Sequence, residues 1–197
     1  MGVLEQWDIS IEELEQVLSS RASLRGILIG FLAEHKLRKI WFADPRIGHF
    51  QWYDNHDRSK PGDFGFYYKG VLITVQVKSV QSASVRRTAD GYAGIFQCDA
   101  SDRRRVTLPN GEIVETTCLV VGGFDLLAVN LFHFDQKWRF AFAMNKHLPR
   151  TKAGKYSQKQ REFLLATSVR ITWPLKKPFV EEPFGLLDQI AAERSAK

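Results

Sequence analysis

K-G-V-L-I-T-V-Q-V-K-S-V-Q, residues Lys69 to Gln81, is the stretch from which the rest of the chain can be read. Val71, Ile73, Val75 and Val77 alternate with Leu72, Thr74, Gln76 and Lys78. Successive side chains of a strand point to opposite faces, so one face here is wholly β-branched and apolar. The other face ends in Thr74, Gln76 and Lys78. An amide and an ammonium side by side near the end of a strong strand are not what packing alone selects.

The neighbouring sequence turns this strand into a hairpin. Phe64 to Tyr68 is a second strand, and Lys69-Gly70 between the two is a tight turn. Pro61-Gly62-Asp63 leads into it from a polar loop, Asp54 to Asp63. Farther upstream, Ser10 followed by Glu12, Glu13 and the set Ile11, Leu14, Val17, Leu18 predicts a capped amphipathic helix. A second helix is expected over Ala22 to Lys39, with Leu24, Ile27, Leu28, Phe31 and Leu32 as its buried face. His35 falls inside that stripe and reads as a core histidine. Glu34 lies at its margin, placed either to pair with Arg38 at i+4 or to look into a cleft. Ile40 to Phe42 and Ile47 to Tyr53 read as extended segments broken at Asp44-Pro45.

Downstream the chain is rich in strands. Ser82 to Gly91 reads as a loop or short helix, Tyr92 to Cys98 as a strand, and Asp99 to Arg105 as a charged connection. Val106 to Leu108 and Ile113 to Val121 flank Pro109-Asn110-Gly111-Glu112, a hairpin turn. Phe124 to Phe132 is almost continuously apolar, as a central strand covered on both faces would be. Trp138 to Ala143 follows as a strand, then a basic loop from Lys146 to Lys155. Ser157 caps a helix to about Ala166, Ser168 to Thr172 offers a last strand, and a helix is expected from Leu186 to Arg194. The expected architecture is helices first, then a mixed sheet of five or more strands flanked by helices: α/β in the broad sense, α+β in detail. The 197 residues suit one domain, with an N-terminal helical part over 1–39 and a tail over about 174–197.

Composition narrows the function classes. The formal charge of +6 favours a polyanionic partner. Two cysteines, Cys98 and Cys118, are too few for a disulfide framework and lack zinc spacing, so they read as buried thiols in a reducing cytoplasm. No apolar run is long enough to span a bilayer, and the acidic start is no signal peptide, so a soluble cytoplasmic protein is expected. There is no G-x-S-x-G elbow and no Walker or dinucleotide glycine pattern.

Asp63, a hairpin return, then Gln76-Val77-Lys78 brings a carboxylate beside an amide, a backbone carbonyl and an ammonium. Oxygen donors of this kind suit Mg²⁺, which activates a bound water and offsets charge on a phosphate. A lysine can orient that water or neutralise the phosphorane. At these residues the chain resembles the PD-(D/E)xK nuclease superfamily, the restriction endonuclease-like fold: Pro61-Gly62-Asp63, then Gln76-Val77-Lys78, with a carboxylate-bearing helix upstream. The resemblance implies a Mg²⁺- or Mn²⁺-dependent DNA endonuclease of restriction or defence type. Asp63, Gln76 and Lys78 would be catalytic, with Asp63, Gln76, the Val77 carbonyl and Glu34 around the metal. It also implies double-stranded DNA as partner and a two-fold homodimer. The departure is Gln76, where the superfamily has a second acid. It is a natural variant with Glu34 supplying the charge, a replacement of an original Glu, or the mark of a silent site. The silent site would leave a DNA-binding module or a subunit of a larger defence complex.

Other residues lie outside this set. Arg86, Arg87, Arg103, Arg104, Arg105 and Lys152, all expected in loops, suit phosphate contact. His49, Asp54, His56 and Asp57 fit no ligand spacing, although His56 and Asp57 are close enough in sequence to line the cleft of Asp63. Asp125 reads as a strand-end acceptor and Asn130 as a satisfied core amide. Trp138, Phe140 and Phe142 alternate as core residues do, not as a stacking platform.

Overall fold

The computed structural model describes residues 1–53 and 60–196. Three helices come first: α1 (Val3–Gln6), α2 (Ile11–Ser20) and α3 (Ala22–Leu37), the last running into a π-helical turn at Arg38–Phe42. Then follow β1 (Ile47–Trp52), β2 (Phe64–Tyr68), β3 (Val71–Ser79), β4 (Arg86–Thr88), β5 (Gly91–Gln97), β6 (Asp99–Thr107), β7 (Ile113–Cys118) and β8 (Leu126–Asn130). The chain continues with α4 (Phe132–Asp135), β9 (Phe140–Met144), α5 (Gln158–Phe163), β10 (Ser168–Trp173) and α6 (Phe184–Ser195).

Five strands make the main sheet in the order β1-β2-β3-β8-β9. The β3–β8 pair is parallel and its neighbours are antiparallel. A parallel pair needs a long crossover. Here the crossover carries β4 to β7, which form a three-stranded sheet β10-β5-β4 and a two-stranded ribbon β6-β7. The fold is thus the expected mixed α/β arrangement, with a mixed sheet and its helical part first.

The organising strand behaves as its alternation dictates. Lys69 (φ 50°) and Gly70 (φ 77°) both take positive φ, which matches the right-handed twist of a tight hairpin. Ile73, Val75 and Val77 pack on Ala33, Leu37 and Phe42 and on Leu187, Ile190 and Ala191 of α6. Burial of each such side chain stabilises the fold by about 1.5–3 kcal/mol. All five residues of β8 are buried, as a central strand requires. Leu127 and Val129 face a second core with Phe96, Leu119, Phe124 and Leu165.

Asp125 fixes the junction of the parallel pair. Its carboxylate accepts from the Thr74 N–H at 2.8 Å and the Thr74 hydroxyl at 2.9 Å, and its own N–H donates to the Thr74 carbonyl at 3.0 Å. Arg194 of α6 donates to the same carboxylate and to the Leu72 carbonyl. Asn130 is the satisfied core amide expected, donating to Ser79 Oγ and accepting from the Phe132 N–H.

Several sequence expectations are corrected. Ile40–Phe42 is π-helical, not extended, and Phe42 turns into the core from it. The outer face of α3 is exposed: Leu24, Ile27, Phe31 and Leu32 lie outside, and Ala33 and Leu37 are the residues against the sheet. His35 is likewise exposed and not a core histidine. The helix has two apolar faces, and the small Ala33 lets the opposite one approach the strands. Arg86 and Arg87 lie on strand β4 and Arg103, Arg104 and Arg105 on strand β6, not in loops. Charged strands of this kind are made by their pairing partners, β5 and β7, and not by apolar content. Cys98 and Cys118 are buried and free. Among the described residues no helix is long and apolar enough to cross a membrane.

Candidate active site

Asp63 reaches β3 because Gly62 lets the chain pass close to it. Gly62 has φ +82°, and a Cβ there would lie 2.4 Å from the Val75 carbonyl oxygen. No other residue fits that approach without displacement. The Asp63 N–H donates to the Val75 carbonyl at 2.8 Å, which extends the hairpin pairing by one residue and sets the side chain beside the end of β3.

There a single carboxylate oxygen, Asp63 Oδ2, accepts from Gln76 Nε2 and from the Val77 N–H, each at 2.6 Å. Val75 turns its carbonyl toward Asp63, and strand geometry gives alternate residues the same edge. The Val77 N–H and carbonyl therefore belong to the edge that Asp63 faces. Gln76 and Val77 are both buried. Burial is the main influence on Asp63 and raises its pKa, against the lowering by the Val77 N–H, Lys78 and the Gln76 amide.

Glu34 joins from α3. Its pKa is pushed up to about 7, first by burial and next by the negative charge of Asp63, with Lys78 acting the other way. Two carboxyl groups and an ammonium thus feel one another at the end of β3. The Arg38 guanidinium lies 4.7 Å from the Phe50 ring centre. Lys78 is held by a backbone acceptor: Nζ donates to the Asp99 carbonyl at 3.0 Å. That contact ties the site to the first residue of the β6–β7 ribbon. Cys98, next in the chain, has its thiol pushed up to about 11 by burial, which keeps it from acting as a nucleophile.

The five residues read from the sequence as catalytic or metal-facing therefore converge on one strand end. Their chemistry fits a hard divalent cation: two carboxylates, an amide oxygen and a carbonyl oxygen are all oxygen donors. Among the described residues, however, no three of His, Cys, Asp and Glu assemble as a ready metal group. The set depends on the uncharged Gln76. In this structure the Gln76 amide turns its N–H, not its oxygen, to Asp63.

The basic residues are more dispersed. Arg103 and Arg105 are exposed on β6, which begins at the Lys78 contact, whereas Arg104 is half-buried. Arg86 and Arg87 are exposed on β4, and the Arg87 guanidinium lies 6.0 Å from the Tyr92 ring centre. Lys152 lines a different cleft, with Arg150, Arg170, Lys176 and Lys177, on the β10 side. Asp54, His56 and Asp57 lie outside the described residues. His49 instead takes a strained φ of 47° in β1 and sets its ring against Tyr67. Sequence reading missed two parts of the site: the Asp99 carbonyl, which carries no sequence signal, and Gly62 as a steric requirement, which the Pro-Gly pair before Asp63 does signal.

No family model matches the chain, and no curated protein matches it. A solved structure described as that of a bacterial homing endonuclease, I-Ssp6803I, is similar over 73% of this chain and 88% of that one, with 19% sequence identity and a TM-score of 0.35. At that identity and TM-score the likeness carries no argument, and the chemistry rests on the site itself.

Proposed function

We propose that the chain is a metal-dependent DNA endonuclease of restriction or defence type. The observation that carries this reading is the convergence of Asp63, Gln76, Val77, Lys78 and Glu34 on the end of β3. Asp63, Glu34, the Gln76 amide oxygen and the Val77 carbonyl would hold Mg²⁺ or Mn²⁺. Once bound, the ion supplies an acidified water and stabilises charge on the phosphate. The residues do the rest. Lys78, anchored by the Asp99 carbonyl, orients the attacking water or neutralises the phosphorane. Glu34, with its pKa pushed up to about 7, would hold the ion as a carboxylate once its proton is released. Arg86, Arg87, Arg103, Arg104, Arg105 and Lys152 supply phosphate contacts along double-stranded DNA.

The test is cleavage of supercoiled plasmid in Mg²⁺ by the Gln76→Glu protein, with Lys78→Ala in the same background as the control. Cleavage that needs both Mg²⁺ and Lys78 supports the reading. An inert Gln76→Glu protein on methylated and unmethylated DNA removes the enzymatic reading.

One observation favours a second reading, a silent DNA-binding module on the same scaffold. The Gln76 amide already satisfies Asp63 without a cation. That reading expects salt-sensitive DNA binding with no metal requirement, seen as a steep fall of log K with log salt in EDTA.

A further inference from the structure

Ten of the sixteen large apolar side chains left exposed among the described residues lie within the first forty positions. They are not scattered. Val3 (57% exposed), Trp7 (67%), Ile11 (67%) and Val17 sit on α1, α2 and the turn between them, while Leu24, Ile27 (60%), Phe31 and Leu32 form the outer face of α3. Neither α1 nor α2 buries a single residue in its own chain. A ten-residue helix such as α2 is marginal alone in water, even with the Ser10–Glu13 capping box it carries, unless its apolar face is covered.

The arm is also fixed at its root. One extended residue, Arg21, separates α2 from α3, and Arg25 reaches back to donate to the Leu18 and Ser19 carbonyls at 2.6 and 2.7 Å. Charge then says what covers it. Residues 3–20 carry Glu5, Asp8, Glu12, Glu13 and Glu15 and no cation. Arg21 and Arg25 stand at the start of α3, and Lys39 lies just past its end in the π-helical turn. An acidic apolar arm and an apolar helix with basic ends on the same chain complement one another between two copies.

We propose that the chain forms a two-fold dimer by reciprocal exchange of its N-terminal arms, α1–α2 of each copy lying on the outer face of α3 of the other. A two-fold contact of this kind is self-complementary and closes. At the exposures given, the eight side chains on the two faces present roughly 700 Å² per chain, near the ~800 Å² per partner of a stable interface. The interface does not depend on the nuclease reading, although Glu34 lies on the same helix.

Sedimentation of the full chain over roughly 1–100 μM tests the proposal. A species of twice 22.6 kDa is expected. Trp7→Asp and Ile27→Asp, both on exposed positions, should each raise the dissociation constant by about 100-fold or more without shifting the thermal midpoint of the monomer. The reciprocal arrangement has its own signature. A chain with Glu12→Lys and Glu15→Lys and a chain with Arg21→Glu and Lys39→Glu should each be monomeric alone and should form a heterodimer when mixed. A wild-type monomer at 100 μM overturns the proposal, as does a dimer indifferent to Ile27→Asp. Failure of the two charge-reversed chains to pair overturns the exchange, and so does a chain that stays monomeric while its arm binds vesicles of phosphatidylcholine.

Discussion

Replacing Gln76 by Glu should turn a self-satisfied site into one that needs a cation to be stable. Two effects follow from the 2.6 Å contact between Gln76 Nε2 and Asp63 Oδ2. The amide donor is lost, and a hydrogen bond to a charged group contributes about 1.5–3 kcal/mol. In its place stands a second carboxylate. Two unit charges about 4 Å apart repel by roughly 4 kcal/mol at an effective dielectric constant of ~20. The new carboxyl can escape by taking a proton, and holding it protonated at pH 8 costs about 5 kcal/mol, slightly less than the roughly 5.5–7 kcal/mol of the two effects together. At pH 5 the same proton costs only about 1 kcal/mol. With the protonated carboxyl donating to Asp63 in place of the amide, the metal-free Gln76→Glu protein should therefore be about 5 kcal/mol less stable than the parent at pH 8 and about 1 kcal/mol less stable at pH 5. For a chain of this size the loss at pH 8 is a fall in Tm of about 10–20 °C. Mg²⁺ at about a hundred times its dissociation constant returns ~2.7 kcal/mol. Thermal scans in EDTA and in Mg²⁺, at both pH values, read all of this directly. Equal midpoints for parent and variant at pH 8 in EDTA would refute the reasoning, as would a variant midpoint indifferent to Mg²⁺.

The remaining predictions probe the same frame from other sides. Glu34, with its pKa pushed up to about 7, binds a proton in the folded protein that the unfolded chain has already released above pH 4.5. Metal-free stability should thus fall as pH rises from about 4.5 to 7, by on the order of 1–3 kcal/mol after allowance for partial exposure, and Glu34→Gln should flatten that slope in urea titrations at pH 5 and pH 8. Gly62→Ala forces a Cβ to within 2.4 Å of the Val75 carbonyl oxygen at a φ of +82°. It should cost about 2–4 kcal/mol in urea unfolding and weaken Mg²⁺ binding in the Gln76→Glu background, because Asp63 must move with its neighbour. Asp125→Ala leaves the Thr74 N–H and hydroxyl without their acceptor and should lower stability by about 2–3 kcal/mol, with no change in metal affinity.

What the sequence reveals and what it hides have physical reasons here. The β2–β3 hairpin was legible because its alternation and its Lys69-Gly70 turn are local signals that agree. The central position of β8 was legible because burial on both faces removes polar residues from a strand. The strands β4 and β6 were not, since exposed arginines carry no apolar pattern and only the partner across the ladder makes them strands. Helix α3 misled for the opposite reason. Its apolar residues are too many for one face, and periodicity picks out the larger, bulkier stripe, whereas the sheet accepts Ala33 and Leu37. That misreading has a consequence, because the stripe left outside is the surface that a second copy would cover.

The site shows the same division at finer scale. A period of two puts Gln76 and Lys78 on one face, and the hairpin brings Asp63 beside them, so the juxtaposition was readable from spacing alone. What Gln76 does there was not, because an amide can either offer its oxygen to a cation or its N–H to a carboxylate, and the sequence is silent on which. The structure has it donating to Asp63. On the proposed reading, an amide that donates to Asp63 Oδ2 would compete with a cation for that oxygen. A glutamate at position 76 cannot donate when ionised, which leaves Asp63 with only the Val77 N–H and a neighbour of its own sign. The dependence of stability on Mg²⁺ in that variant therefore tests whether the Gln76 amide and a cation compete for Asp63, as the proposed reading expects.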